Sequence, residues 1–314
     1  MCKILKGITF ISIFVVLLMI TSYILSPKNN DRESGMLQPT AYGILTEDKN
    51  TIDTLIIGDS ESYSSISPMQ LWDEQGYTSY VCGTPSQPLY QSYEFLKTTL
   101  KTQKPKIVIL EANALYRRLK LNNYVCYQAE QFIPVLKYHN RWKTIEPQDF
   151  YEPIEYTWEN DMKGFRYQTG TKPSKVYDYM KKKKKEKNIS PKNLYFLNKI
   201  RKLCEENDIQ FVLMSVPSSK NWNHDKHKGV QKYANQYNIE YIDMNLLNDE
   251  IGIDWLKDTR DQGDHVNYNG ACKVTHYLGN YLKKKNILTN HKNDKNYENW
   301  NVSLQKYKTK VHKK

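Results

Sequence analysis

The chain has no CxxC pair, and its five cysteines (Cys2, Cys82, Cys126, Cys204 and Cys272) are scattered over 314 residues. An odd, dispersed set argues against a complete disulfide framework; Cys82 and Cys272 fall in segments that read as core, where a buried thiol is the expected state. No internal repeat is present, which excludes solenoid and propeller architectures. No aromatic-basic motif or recognisable binding module points to nucleic acid, so no nucleic-acid partner is expected. His224 and His227 lie three apart, but a catalytic zinc site needs three protein ligands and no third is in register, so neither metal nor cofactor is expected. One long apolar run exists, and no Ala-x-Ala-like site follows it, which disfavours a cleavable signal peptide.

That run, GITFISIFVVLLMITSYILS from Gly7 to Ser26, carries no charge. About 20 helical residues at ~1.5 Å each cross a ~30 Å hydrocarbon core, so residues 1–26 read as a membrane anchor. Lys3 and Lys6 precede it and favour an amino terminus held inside, leaving the rest of the chain on the extracellular face of the cell membrane. Lys and Arg total 46 against 34 Asp and Glu, a net charge of +12 that favours anionic neighbours such as phospholipid headgroups or an envelope polymer.

Residues 27–50 are polar and without period, and read as a linker. From Asp53 onward short apolar runs alternate with amphipathic stretches, the pattern of βαβ units and a parallel sheet with helices on both faces. The expected strands are Thr54 to Ile57, Ser79 to Cys82, Lys106 to Leu110, Ile209 to Ser215 and Ile239 to Ile242; several are apolar throughout, as doubly covered strands should be. Leu89, Tyr93, Leu96 and Leu100 mark one helix face, and Leu194, Leu197, Ile200 and Leu203 another, the second capped by Ser190 with Pro191 at its first position. Ala271, Val274, Leu278 and Tyr281 mark a last helix. The Tyr-rich stretch at about 114–190 breaks the rhythm and reads as an insertion capping the sheet, its lysine run Lys181–Lys185 as a solvated segment. Residues 51–285 then form the α/β domain and 286–314 a basic tail, packed through Trp300 and Tyr307 or loose.

In a parallel sheet, ligands collect at the carboxyl ends of the strands. The five ends here carry Gly58-Asp59-Ser60, Gly83-Thr84-Pro85, Glu111-Ala112-Asn113, Pro217-Ser218-Ser219 and Asp243-Met244-Asn245. A serine becomes a useful nucleophile only beside a positioned base and fixed oxyanion donors. Ser60 at a strand-to-helix turn offers its hydroxyl and its own N–H, Gly83 a second N–H, and Asn113 a side-chain amide. His265, just before the last helix, is the candidate base, oriented by Asp261 or Asp264, with Asp261 preferred. Asp59, Glu61, Gln87, Glu111, Ser218, Trp222 and His227 are the candidate substrate contacts, and Tyr116, Arg117, His139, Arg141 and Trp142 softer candidates for sugar or anionic polymer.

The order Gly-Asp-Ser, glycine, asparagine and an acid-plus-histidine block resembles the SGNH/GDSL hydrolase superfamily over most of residues 53–284. The resemblance implies a three-layer flavodoxin-like fold, with Ser60, Gly83, Asn113 and His265 as its four signature positions. Two departures stand out: the third block reads Glu111-Ala112-Asn113-Ala114 where the family has Gly-x-Asn-Asp, and Gln262 occupies the usual place of the acid. With the anchor, the chain is most similar to the membrane-anchored branch, which includes teichoic-acid D-alanylation and alginate-type acetylation proteins. That likeness implies a serine esterase or O-acyltransferase acting on a cell-envelope glycan or teichoic-acid-like polymer, with a membrane-bound O-acyltransferase as candidate partner; the alternative is a non-catalytic accessory of the same fold.

Overall fold

The computed structural model of the protein describes residues 2–181 and 185–312. In chain order its main elements are α1 (Cys2–Leu25), α2 (Pro39–Tyr42), β1 (Thr54–Gly58), α3 (Ser60–Ser65), α4 (Pro68–Gln75), β2 (Ser79–Gly83), α5 (Leu89–Thr99) and β3 (Ile107–Glu111). There follow α6 (Leu121–Phe132), α7 (Pro134–Tyr138), α8 (Pro191–Glu205), β4 (Gln210–Ser215), α9 (His224–Tyr237), β5 (Glu240–Asp243), α10 (Asn248–Ile251), α11 (Tyr268–Lys285) and α12 (Glu298–His312).

The strands form one parallel sheet in the order β2-β1-β3-β4-β5, a doubly wound, flavodoxin-like arrangement. All five expected strands are present. Alternate residues face opposite layers, so Ile56, Val81, Ile109, Val212 and Met214 pack with Ile66, Leu71, Val274 and Leu278 of the α3, α4 and α11 layer. Across the sheet α5 packs on α8, with Tyr90 edge-on to Phe196 at 6.0 Å. The face of α5 is not quite the expected one: Leu89, Ser92, Phe95, Leu96 and Thr99 are buried, while Tyr93 and Leu100 lie at its margin. The order reverses around β1 and β3, whose carboxyl ends therefore flank an open crevice.

Two compact units divide the chain: one joins residues 1–39 to 119–158, and the other joins 40–118 to 159–314. The structure bears on three readings of the sequence. The segment expected as a free linker is incorporated: Asn30 is fully buried in the first unit, hydrogen-bonded to Trp158, and Ala41, Ile44 and Glu47 are buried in the second. The insertion is not one cap on the sheet. Residues 119–158 pair with α1, and residues after 159 return to the α/β body, where the Val81 N–H of edge strand β2 donates to the Lys163 carbonyl at 3.0 Å. That bond satisfies a group which an open edge would leave exposed. The basic tail is a packed helix, since Trp300 of α12 is fully buried with its ring 5.4 Å from Trp72, and Tyr307 is buried as well.

The Lys163 ammonium bonds both Glu47 oxygens, at 2.7 and 2.9 Å, and lies 5.0 Å from the Trp300 ring centroid. One buried ion pair thus fastens the former linker, the insertion and the tail. Of the lysine run, Lys182 to Lys184 lie outside the described residues. Helix α1 is long and apolar enough to span a membrane.

Candidate active site

Asp59 caps α3: its Oδ1 accepts the Glu61 N–H at 3.0 Å, which ends β1 abruptly and sets Ser60 at the first helical position. The Ser60 N–H therefore has no intrahelical carbonyl to bind. Gly83, paired with Gly58 across the sheet, lets this turn approach β2 closely; a Cβ there would stand 2.5 Å from Ser62 Oγ and 3.1 Å from Tyr63 Cδ1.

On the far side of the sequence, Thr259 and Val266 form an antiparallel bridge around a tight turn in which Gln262 and Gly263 take φ of +66° and +90°. Gly263 is required both by its φ and by space, since a Cβ would meet Ser219 Oγ at 1.9 Å. The turn folds Asp261 back onto His265 across four residues. Asp261 Oδ1 accepts the His265 N–H at 2.6 Å, and Oδ2 lies 2.7 Å from His265 Nδ1. Asp264 Oδ2 stands at 3.8 Å, and its Oδ1 is engaged by the Asn221 amide. Between the two acids, geometry selects Asp261 as the partner of the ring.

His265 Nε2 lies 2.8 Å from Ser60 Oγ. With Nδ1 protonated and donating to Asp261, Nε2 is free to accept the serine proton, the arrangement that nucleophilic catalysis by serine requires. Burial works against charge on His265, but the Asp261 hydrogen bond and the charges of Glu61 and Asp264 outweigh it and hold the ring above its ordinary value. Asp261 is held below the usual carboxylate range: burial opposes this, and the His265 bonds and charge together with Arg260 overcome it.

Asn113 sits opposite. Glu111 at the end of β3 accepts its N–H on both oxygens, each at 3.1 Å, and fixes the turn. The side-chain amide donates from Nδ2 to Asp59 Oδ2 at 3.1 Å, and its Oδ1 accepts from Lys226 Nζ at 3.0 Å. A carboxylate on one side and an ammonium on the other fix which atom is nitrogen, and one Nδ2 hydrogen remains for a ligand.

The site stands on three carboxylates, Asp59, Glu61 and Glu111, all essentially without solvent exposure. Burial pushes Glu61 up to about 7, with the Asp59 charge adding to it against the His265 charge and the Asn221 and Ser218 hydrogen bonds. Glu111 is held well above the carboxylate range, by burial first and then by Asp59 and Glu61. Arg117 offsets this charge through its ion pair with Asp59. Burial and the Lys187 charge bring Lys226 down to about 8.

The expected substrate contacts all find partners within the folded chain. Asp59, Glu61, Gln87, Glu111, Ser218 and Trp222 are all buried and hydrogen-bonded inside the protein. Gln87 donates to the Cys82 carbonyl and to Ser92 Oγ. Ser218 donates to the Asp264 carbonyl at 2.6 Å and so anchors the acid-histidine turn. Trp222 Nε1 donates to Asp243 Oδ2 at 3.0 Å, and His227 Nδ1 lies 2.8 Å from the same oxygen, so Asp243 holds both. Tyr116 is packed edge-on to Trp222 at 6.0 Å. Arg141 is bound to Asp149 and to the carbonyls closing α1.

Asn221, Lys226 and Arg260 were not anticipated. Asn221 bonds Glu61 Oε1 at 2.8 Å and reaches Asp264, and Arg260 donates to Ser64 Oγ at 2.9 Å. The one local signal is Asn223, which caps α9 through the Lys226 N–H at 3.0 Å and so fixes the start of the helix that carries Lys226.

No family model and no curated protein matches the chain. Solved structures that resemble it include a putative acylhydrolase from Bacteroides fragilis, 11% identical with a TM-score of 0.42, covering 79% of this chain and 96% of that one. A putative lipolytic protein of the G-D-S-L family from Desulfitobacterium hafniense is 14% identical with a TM-score of 0.40, covering 74% and 99%. The psychrotrophic esterase EstA from Pseudoalteromonas sp. is 12% identical with a TM-score of 0.41, covering 74% and 99%. At such identities the functional reading rests on this chain's own side chains.

Proposed function

We propose that the protein is a membrane-anchored serine esterase or O-acyltransferase acting on acyl esters of a cell-envelope polymer. The hydrogen-bonded chain from Ser60 Oγ through His265 to Asp261 carries the reading. In the reaction Ser60 Oγ attacks the ester carbonyl and its proton passes to His265 Nε2. The oxyanion is met by the Ser60 and Gly83 N–H groups and the remaining Asn113 Nδ2 hydrogen. Collapse breaks the ester C–O bond, and His265 returns the proton to the departing alcohol. The acyl-serine then passes its acyl group to water or to an acceptor hydroxyl, with His265 again taking and returning the proton. Net charge +12 supports an anionic envelope polymer as the substrate class, α1 supports attachment to a membrane, and Lys3 and Lys6 ahead of it support the extracellular face.

A fluorophosphonate probe tests the nucleophile. Labelling of the parent that is lost in Ser60→Ala and reduced in His265→Ala is expected; an unlabelled parent points to a non-catalytic accessory, and labelling that survives Ser60→Ala refutes the assignment. Turnover of p-nitrophenyl acetate with and without a glycan acceptor separates transfer from hydrolysis.

A further inference from the structure

Helix α6 buries none of its residues. Leu121, Val125 and Phe132, at i, i+4 and i+11, fall within about 40° on one face, and they are 60%, 59% and 83% exposed. The same unit exposes Trp142 at 64%, Phe150 at 58% and Tyr151 at 70%. An apolar stripe at helical spacing normally faces a core, and soluble surfaces rarely gather so many large apolar groups.

What these residues are attached to identifies the missing partner. The Tyr23 hydroxyl donates to the Glu152 carbonyl at 2.6 Å, and the Val135 N–H donates to Ser22 Oγ at 3.2 Å. Arg141 donates to the Leu25 and Ser26 carbonyls at 3.1 and 3.0 Å and is itself held by Asp149 at 2.9 Å. The exposed apolar surface is therefore fastened to residues 22–26, the point where a spanning α1 leaves the hydrocarbon.

We propose that residues 121–151 form a collar around the exit of α1 that lies in the headgroup and upper acyl region of the bilayer, with Leu121, Val125 and Phe132 turned toward lipid and Trp142 and Tyr151 at the interface. Tryptophan and tyrosine are the residues that this boundary favours. Residues 119–158 carry four basic and five acidic side chains, so the attraction is apolar and needs no anionic lipid.

The test uses the full chain in phosphatidylcholine vesicles at high salt, with Cys2, Cys126 and Cys272 replaced by serine and a nitroxide placed at Phe132→Cys, Trp142→Cys or Asn123→Cys. Asn123 is exposed on the opposite side of α6. Labels at 132 and 142 should collide with oxygen several-fold more than with an aqueous nickel chelate, and the label at 123 should show the reverse. Equal access of the nickel chelate to all three overturns the collar, and so does shielding of 132 and 142 from both relaxants, which would mean a second copy or another membrane protein covers them. Should a cysteine variant misfold, brominated phosphatidylcholine gives a second reading: it should quench the parent's tryptophan emission more than that of Trp142→Phe, and equal quenching overturns the proposal.

Discussion

Lys226 holds Asn113 from behind: its ammonium donates to Asn113 Oδ1 at 3.0 Å and thereby turns the amide nitrogen toward Asp59 and the serine turn. In Lys226→Met the amide keeps only its bond to Asp59 and loses the second contact that fixes its direction. Loss of one oxyanion donor costs about 10²–10³ in kcat, and an indirect loss through orientation should approach the lower end of that range. Steady-state kinetics should show the fall mainly in kcat with KM little changed; a change confined to KM would assign Lys226 to substrate binding.

Asp261 and Asp264 are both close to His265, yet only Asp261 bonds Nδ1. Asp261→Asn should lower kcat by up to about 10⁴, because the amide favours the wrong tautomer of the ring. Asp264→Asn should retain most activity, which a parallel assay of the two variants would decide.

The base must be neutral to accept a proton, and His265 is held above its ordinary value. Activity should therefore rise with pH along an acid limb placed above that of free histidine. Glu61 contributes to the upward shift, so Glu61→Gln removes a charge that favours imidazolium, lowers the His265 pKa and moves the limb to lower pH. A pH profile of kcat/KM that stays in place, or moves up, contradicts this coupling.

Removing one partner of the buried Lys163–Glu47 pair strands the other charge. Lys163→Met should cost about 3–5 kcal/mol of stability, read by denaturant unfolding. Adding Glu47→Gln to it should recover part of the loss, because the uncompensated carboxylate is gone.

Gly83→Ala should cut activity without unfolding the protein. Its new methyl group would press on Ser62 Oγ and Tyr63 and displace the turn that carries Ser60. A lowered but still cooperative thermal transition, with reduced fluorophosphonate labelling, is the expected result.

The five strands were legible because parallel strands buried on both faces are nearly continuous apolar runs, and the topological rule then brought Ser60, Gly83 and Asn113 together. His265 was legible from its place before the last helix. Asp261 was preferred on the ground that an extra turn residue restores its reach to the ring, and its Oδ2 lies 2.7 Å from His265 Nδ1. What the sequence concealed was burial of polar groups. Gln87 and Trp222 follow strand ends as binding residues do, but their partners, Ser92 and Asp243, are met only in the folded chain. The insertion hid its division because only contacts distant in sequence separate the part joined to α1 from the part covering β2.

Trp300 and Tyr307 belong to the core layer, and Ser67 Oγ donates to the Tyr307 hydroxyl at 3.2 Å. The first and last parts of the α/β unit are thus mutually dependent, and the unit cannot reach its native packing while the ribosome still holds residue 307. If α1 inserts during synthesis with the domain on the extracellular face, as proposed, the domain crosses the membrane before it is complete. Its maturation is then an event of the far side, dependent on the folding conditions there and not on those of the compartment where it is made. Stalled chains ending at residue 295 should accordingly remain protease-sensitive, and chains extended beyond 312 should become resistant.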